Sequence, residues 1–332
     1  MSRIAIIGAG IGGLALGSQL ARSHDVTVFE KGRGVGGRMA SRHAGAFSFD
    51  HGAQYFTVRD PRFAALLEPL IATGTVAPWT GPIADIANGA VQALKAPRDI
   101  HYVGVPNMNS FAKSLVAGLT LRTGVDIAPF QGRENAGWAL VDMSGASQGV
   151  FDWVISTTTA HQTMALFDRH APHSGRLATT KMLPCYALML GFEHGLDLPW
   201  VAARVGDSPI EWIGVNSSKP RRDADVTTLV AHSSSAWAME NLDQEPEQLA
   251  DLLAAALQDA TGIDPAQAAF RTIHRWRSAK RADGTNYPPY LDGEKGLAAT
   301  GDWACGSRVE NVVLSALALG DAINARYAVM KS

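Results

Sequence analysis

The chain lacks the features that mark several large classes of protein, and each absence removes a class. Only two cysteines occur, Cys185 and Cys305. Two thiols cannot build a disulfide framework, and so few suit a reducing cytoplasm, the expected location. No run approaches the ~20 apolar residues that a membrane-spanning helix needs. The apolar start is broken by glycines and followed by no small-residue cleavage pattern, so it reads as strand and turn rather than a signal peptide. A formal net charge of −2 creates no long-range field, which argues against nucleic acid or an anionic membrane surface as partner. There is no internal repeat, no zinc-type ligand spacing, no nucleophile elbow and no evident acid/base pair. His170-Ala171-Pro172-His173 lacks further ligands, and Pro172 makes it a loop rather than a metal site; no metal is expected. What is plentiful is glycine, 33 residues, and apolar side chains, 46% of 332. That balance suits an α/β enzyme of about two domains with many turns.

The most informative stretch opens the chain. Ile4-Ala5-Ile6-Ile7 reads as a fully buried parallel strand, turned by Gly8, Gly10 and Gly13 into a helix beginning near Leu14. Gly8 allows the tight turn, Gly10 lets backbone approach a pyrophosphate, and Gly13 permits close packing of the helix on the sheet, with Ile11 and Gly12 completing the cradle. Phosphate would sit on the helix's positive end. The next strand, Val26-Thr27-Val28-Phe29, ends in Glu30, whose carboxylate can accept from both hydroxyls of an adenosine ribose and repels a further phosphate there, disfavouring NADP as the resident nucleotide. This part alone leaves NAD and FAD open. Lys31, Arg33, Gly36, Gly37 and Arg38 form a second glycine-and-arginine loop, which a plain NAD site does not need and a flavin dinucleotide bends across. At the far end, Gly296–Thr300 looks like a last strand, followed by Gly301-Asp302 and by Arg308-Val309-Glu310 opening a helix through Ala322. Asp302 would accept from a ribityl hydroxyl. The helix beginning near Val309 would aim unpaired N–H groups at the pyrimidine edge of a flavin.

The motifs together carry a resemblance. They are Ile4-Ala5-Ile6-Ile7-Gly8-x-Gly10-Ile11-x-Gly13-Leu14, Gly36-Gly37-Arg38-Met39, Gly52-Ala53-Gln54-Tyr55-Phe56-Thr57-x-Arg59-Asp60, Tyr102-Val103-Gly104-x-Pro106, Asn216-x-Ser218-Lys219-Pro220, His274-Arg275-Trp276, Gly301-Asp302-Trp303 and Arg308-Val309-Glu310. The chain resembles FAD-dependent oxidoreductases of the amine-oxidase-like group and is most similar to the bacterial renalases. The resemblance implies a non-covalent FAD and oxidation of dihydro-isomers of NAD(P), with electrons passed to O2. It also implies that the backbone of Val125 lies against adenine. Amine oxidation is the alternative. Members of that group often carry a lysine from the first roof strand, whereas here the strand begins Cys185-Tyr186 with Lys181 outside it. A non-catalytic escort protein on the same fold is a third reading, against which Glu30 and Asp302 argue.

The expected fold is α/β: an FAD-binding Rossmann-type (glutathione-reductase-like) domain from residues 1–60, 111–160 and 295–332, and an α+β substrate domain on a mainly antiparallel sheet from 61–110 and 161–294. Leu119–Asp142 reads as a β-hairpin crossover turning at Gly132–Gly137, and Trp153–Ser156 as a returning strand. The second sheet, with strands at Tyr186–Phe192, Thr228–His232 and Arg271–Trp276 and an outer helix Glu247–Ala260, is expected to roof the flavin. Asp50–Tyr55 is expected beside the isoalloxazine, bringing Gly52, Ala53 and Gln54 to the cofactor, with Gln54 and Tyr55 also candidates for the chemistry. His51 there is either a proton donor or a histidine held in a packed loop. Alternation puts His274 and Trp276 on one strand face, toward a substrate cavity, and Arg275 and Arg277 on the other. His232 and Trp237 look like a similar pair at a strand end. Lys219, Arg221, Arg222, Lys280 and Arg281 could meet a substrate pyrophosphate, but read more readily as solvated surface.

Overall fold

The apolar run near the start becomes a central strand, because a parallel strand covered on both faces needs apolar side chains throughout. In the computed structural model, which describes residues 1–134, 137–170, 175–282 and 286–329, Ile4, Ala5 and Ile6 are fully buried. Strand Arg3–Ile7 lies between Asp25–Glu30 and Trp153–Ser156, paired parallel to both. The six-stranded sheet runs Tyr290–Asp292, Leu297–Ala299, Trp153–Ser156, Arg3–Ile7, Asp25–Glu30, Thr120–Thr123. All its pairings are parallel except that of the edge strand Tyr290–Asp292. Helix Ile11–Leu20 follows the first strand and packs on the long helix Val309–Val329 through small residues: a Cβ on Gly12 would come 2.9 Å from Val312, and one on Gly320 would meet Gln19.

The chain divides into two compact units. The first comprises Met1–Arg38, Ala112–Met182 and Lys280–Ser332, the second Met39–Phe111 and Leu183–Ala279. The expected boundaries therefore shift. Residues 39–60 leave the nucleotide-type unit because the hairpin of Ser41–Ala44 and Phe47–Asp50 carries Phe47 and Phe49 into a cluster with Ala187, Met189 and Val230. Residues 161–182 and 280–294 join the first unit instead, where Leu166, Phe167 and Tyr290 pack with Trp138, Phe151 and Trp303. The expected crossover hairpin from Leu119 is also revised: Thr120–Thr123 pairs parallel with Asp25–Glu30. The antiparallel piece comprises Arg133–Glu134, Gly137–Val141 and Ser147–Phe151. Asn135 and Ala136 of the expected turn, and Ala171–His173 of the expected loop, lie outside the described residues.

The second unit is built on a seven-stranded sheet ordered Phe270–Arg281, Met182–Phe192, Thr227–Ser233, Ile210–Val215, Ala202–Val205, Ile83–Ala87, Ala90–Lys95. From Met182–Phe192 to Ala90–Lys95 neighbours are antiparallel except Ala202–Val205 with Ile83–Ala87. One face is covered by helix Pro246–Thr261, started by proline in its first turn and stopped by left-handed Gly262. Its Leu249, Leu253 and Leu257 recur every four residues and pack on Leu188, Leu190, Leu229 and Ala231. Among the described residues, no helix is long and apolar enough to cross a membrane.

Gly13 tests this packing most directly, since a Cβ there would lie 2.0 Å from the Gly8 carbonyl oxygen, a backbone atom that cannot rotate away. Gly13→Ala is expected to lose at least about 1–3 kcal/mol of stability, read as a lowered urea midpoint; an unchanged midpoint would contradict this packing.

Candidate functional site

In the first unit the two glycine loops converge. Gly8 has φ +107° and is pinned by Thr157, whose Oγ1 donates to its carbonyl at 2.9 Å. Gly10 caps helix Ile11–Leu20 with no side-chain hydrogen bond, and a Cβ on it would meet nothing within 4 Å. The helix therefore begins without a side-chain cap on its first turn. The second loop is laid against the first: Gly36 N–H donates to the Ala9 carbonyl at 2.8 Å, and the Gly37 Cβ position is 3.4 Å from the Gly10 Cα. Lys31 and Arg33 of this loop are exposed. Glu30 is held by two N–H donors, Ala9 to Oε2 at 2.9 Å and Gly32 to Oε1 at 2.7 Å. Each carboxylate oxygen keeps a second lone pair for a ribose hydroxyl. Val125 sits beside it, its N–H donating to the Glu30 carbonyl at 3.0 Å.

Asp302, 264 positions from Arg38 in sequence, pairs with it through Oδ2. Its carboxylate also accepts from Ser307 Oγ at 3.2 Å. Asp302 is 1% exposed, yet among the described residues its Oδ1 has no hydrogen-bond partner. A buried carboxylate oxygen left unpaired is costly, and a ligand hydroxyl would satisfy it. Gly301 precedes it, and Arg308 and Val309 stand at the start of the last helix, where Arg308 pairs with Glu310 at 3.5 Å. A glycine cradle, an acid closing the second strand and a buried carboxylate oxygen without a partner among the described residues fit a flavin dinucleotide.

The second unit gathers a separate set on the sheet face opposite helix Pro246–Thr261. His51 stacks on Trp276 with ring centroids 5.3 Å apart and meets His274 edge-on at 4.9 Å. The His51 carbonyl accepts from Trp276 Nε1 at 3.0 Å and lies 3.2 Å from His232 Nε2. Burial, reinforced by His274 and Arg42, depresses His51 to about 4; burial and Arg42 depress His274 too. The expected alternation holds, since Arg275 turns the other way and donates to the Leu242 carbonyl at 2.8 Å. Trp237 does not join His232. It lies on helix Ser235–Glu240, which begins after the strand ends, and packs edge-on against Tyr186 at 5.9 Å with the opposite core.

Gly52, Ala53, Gln54 and Tyr55 belong to this second unit. Gln54 is engaged within its own turn, Nε2 donating to the Asp50 carbonyl and, at 3.1 Å, to that of Gly52. Tyr55 stacks on His101 at 3.6 Å and tilts against Trp212 at 5.6 Å. Asp50 is fully buried. It accepts from Lys219 at 3.1 Å, Arg222 at 2.7 Å, Ser41 at 2.6 Å and the Met108 N–H at 2.9 Å. Burial alone would raise its pKa, but these four partners outweigh it and hold the carboxyl far below the usual range. Lys219, Arg222 and Arg281 are thus not solvated surface: the first two close on Asp50, and Arg281 donates to the Trp303 carbonyl at 2.9 Å within the first unit. Arg221 is exposed as expected. The sequence reading places Asp50 at the head of the segment expected beside the isoalloxazine but gives it no partner, though a charge closing a strand of phenylalanines, with Lys219-Pro220-Arg221-Arg222 elsewhere, is the available signal. Among the described residues no cluster of three or more histidine, cysteine or acidic side chains could hold a metal ion.

Residues 6–70 match the family model of an NAD(P)-binding Rossmann-like domain. Over 58 residues, 17% of this chain, the sequence is 47% identical to a 4,4'-diapophytoene desaturase (4,4'-diaponeurosporene-forming) of Staphylococcus haemolyticus; the chain spans 12% of that relative's length. A crystal structure from Exiguobacterium sp. 255-15, assigned as a protoporphyrinogen oxidase, superposes with TM-score 0.76 at 14% identity, covering 98% of this chain and 99% of that one. Putrescine oxidase bound to putrescine gives TM-score 0.70 at 12% identity over 98% and 99%. At these identities the likeness to the solved structures is one of fold, and it extends across nearly the whole chain.

The depressed histidine sets a pH dependence. Between the ordinary imidazole value of 6.5 and about 4, the unfolded chain binds more protons at His51 than the native one, so stability falls as pH drops through that window. His51→Phe, which keeps a ring against Trp276, should show a shallower fall in urea midpoint from pH 6.5 to 4 than the parent. Equal falls would mean that His51 is not buried as a neutral imidazole.

Proposed function

We propose that this chain is an FAD-dependent oxidoreductase of the renalase kind, taking hydride from dihydro-isomers of NAD(P) and passing the electrons to O2, with NAD(P)+ and H2O2 as products. The observation that carries the flavin reading is Asp302, a buried carboxylate with one oxygen unpartnered among the described residues, in the same unit as the two converging glycine loops and Glu30. A plain NAD site needs the first loop and the acid alone; the second loop, Arg38 and Asp302 suit the longer ribityl arm of FAD. When bound, non-covalent FAD supplies a hydride acceptor.

The chain's own residues bind and orient. Glu30 accepts from ribose hydroxyls, the N–H groups opening helix Ile11–Leu20 meet pyrophosphate, and Asp302 Oδ1 accepts from a ribityl hydroxyl. The positive end of helix Val309–Val329 favours negative charge on the pyrimidine edge. In the second unit, burial and the nearby Arg42 charge depress both His51 and His274, so at neutral pH they form, with Trp276, a face of neutral aromatic rings near that guanidinium. Such a face suits a flat, neutral dihydronicotinamide ring. Hydride loss from that ring is driven by its own conversion to a pyridinium and needs positioning more than a strong base.

Purified protein should be yellow and release FAD on denaturation. Anaerobic mixing with 2- or 6-dihydronicotinamide dinucleotide should bleach the flavin absorbance rapidly, while simple amines should not; the reverse ranking would establish amine oxidation instead, and colourless protein that cannot be reconstituted would favour a binding role. Glu30→Ala and Asp302→Ala should each weaken FAD retention by about tenfold or more, as expected for charge-assisted hydrogen bonds of about 1.5–3 kcal/mol. Full flavin content after gel filtration of both variants would remove these residues from the site.

A further inference from the structure

The Asn216-x-Ser218-Lys219-Pro220 segment has no part in the reaction just described, yet each of its polar side chains is committed. Asn216, fully buried, accepts from the Asp50 N–H at 3.2 Å and donates to the Ser48 carbonyl at 2.8 Å. Ser218 accepts from Trp79 Nε1 at 2.9 Å. Lys219, with a fully buried side chain, donates to Asp50 Oδ2 and reaches Gln54 Oε1 at 3.4 Å, while its ammonium lies 5.2 Å from the Trp79 ring centroid. An ammonium has donors and no acceptor. The atom of Gln54 that faces it must therefore be the oxygen, which turns the Gln54 NH2 toward the carbonyls of Asp50 and Gly52. Those two contacts fold the turn whose His51 carbonyl holds Trp276 and approaches His232.

We propose that Lys219 is a positioning residue that fixes the His51–Tyr55 turn by pinning the Gln54 amide in a single orientation. This rests on the oxidoreductase reading for its kinetic consequence, but not for its physical one. The charged groups facing Lys219 are Asp50 and Arg222. Burial outweighs Asp50 and, aided by Arg222, lowers Lys219 to about 8, so the ammonium is present below that pH and lost above it.

The test uses the full-length, FAD-loaded protein and the variants Lys219→Met, Gln54→Leu and their double, each first checked for cooperative thermal unfolding. If Lys219 acts through Gln54, each single variant lowers the turnover rate about tenfold with little change in KM, and the double is no slower than the worse single. Multiplying losses, or a folded Lys219→Met with the parent's turnover, would overturn the proposal. A second readout is independent of catalysis. The difference in tryptophan emission between the parent and its Trp79→Phe variant should change with an inflection near pH 8, and the same pair made in the Lys219→Met background should show none. An inflection that persists without Lys219, or one absent from the parent, would equally overturn it. If the parent oxidises no substrate but this titration behaves as expected, the reaction assignment fails while the role of Lys219 in the turn stands.

Discussion

The approach of two backbones at the opening turn governs the first unit. Helix Ile11–Leu20 can start where it does only because Gly13 carries no side chain, its Cβ position falling 2.0 Å from the Gly8 carbonyl oxygen. That closeness seats the helix on strand Arg3–Ile7, and the helix begins without a side-chain cap. The remaining parts are arranged around the turn by hydrogen bonds from distant segments: Thr157 to the Gly8 carbonyl, Gly36 to Ala9, and Ala9 to Glu30. A site assembled in this way has backbone donors in fixed positions before any ligand arrives, which lowers the ordering cost of binding.

The second unit is organised by a different constraint, a carboxylate taken fully out of water. Asp50 is tolerable there because two cations, a hydroxyl and a backbone N–H converge on it. A buried ion pair of this kind adds little stability relative to an apolar replacement, but breaking it is costly. Its consequence is geometric. The end of strand Phe47–Asp50 is clamped to residues 216–222, and the following turn leaves the clamp in one direction.

Local patterns were legible where they were regular. The buried runs, the glycine spacing and the alternation along His274–Arg277 gave strands and faces close to those observed. Misreadings arose where a partner lay far away in sequence or the chain changed element. Lys219 and Arg222 sit in a basic run that reads as solvated, because the acid that buries them is 169 and 172 positions upstream. Trp237 reads as a partner of His232 at a strand end, whereas the strand stops at Ser233 and a helix carries Trp237 to the other core. Residues 41–50 read with the nucleotide motifs beside them, but they form a hairpin whose phenylalanines belong to another core. Gln54 reads as a site residue by its place in a motif, whereas both ends of its amide are taken up within the turn and by Lys219.

The packing of Gly12 against Val312 and of Gly320 against Gln19 bears on biosynthesis. Helix Ile11–Leu20 leaves the ribosome long before helix Val309–Val329, which completes its outer face. At ~5–20 residues per second, the intervening ~300 residues take roughly 15–60 s to synthesise. Through that interval the glycine-rich turn has its strand but not its buttress. The glycine-rich turn is therefore completed late, after the second unit's sheet has emerged in full, and nascent chains that stall before residue 312 would leave the outer face of helix Ile11–Leu20 uncovered.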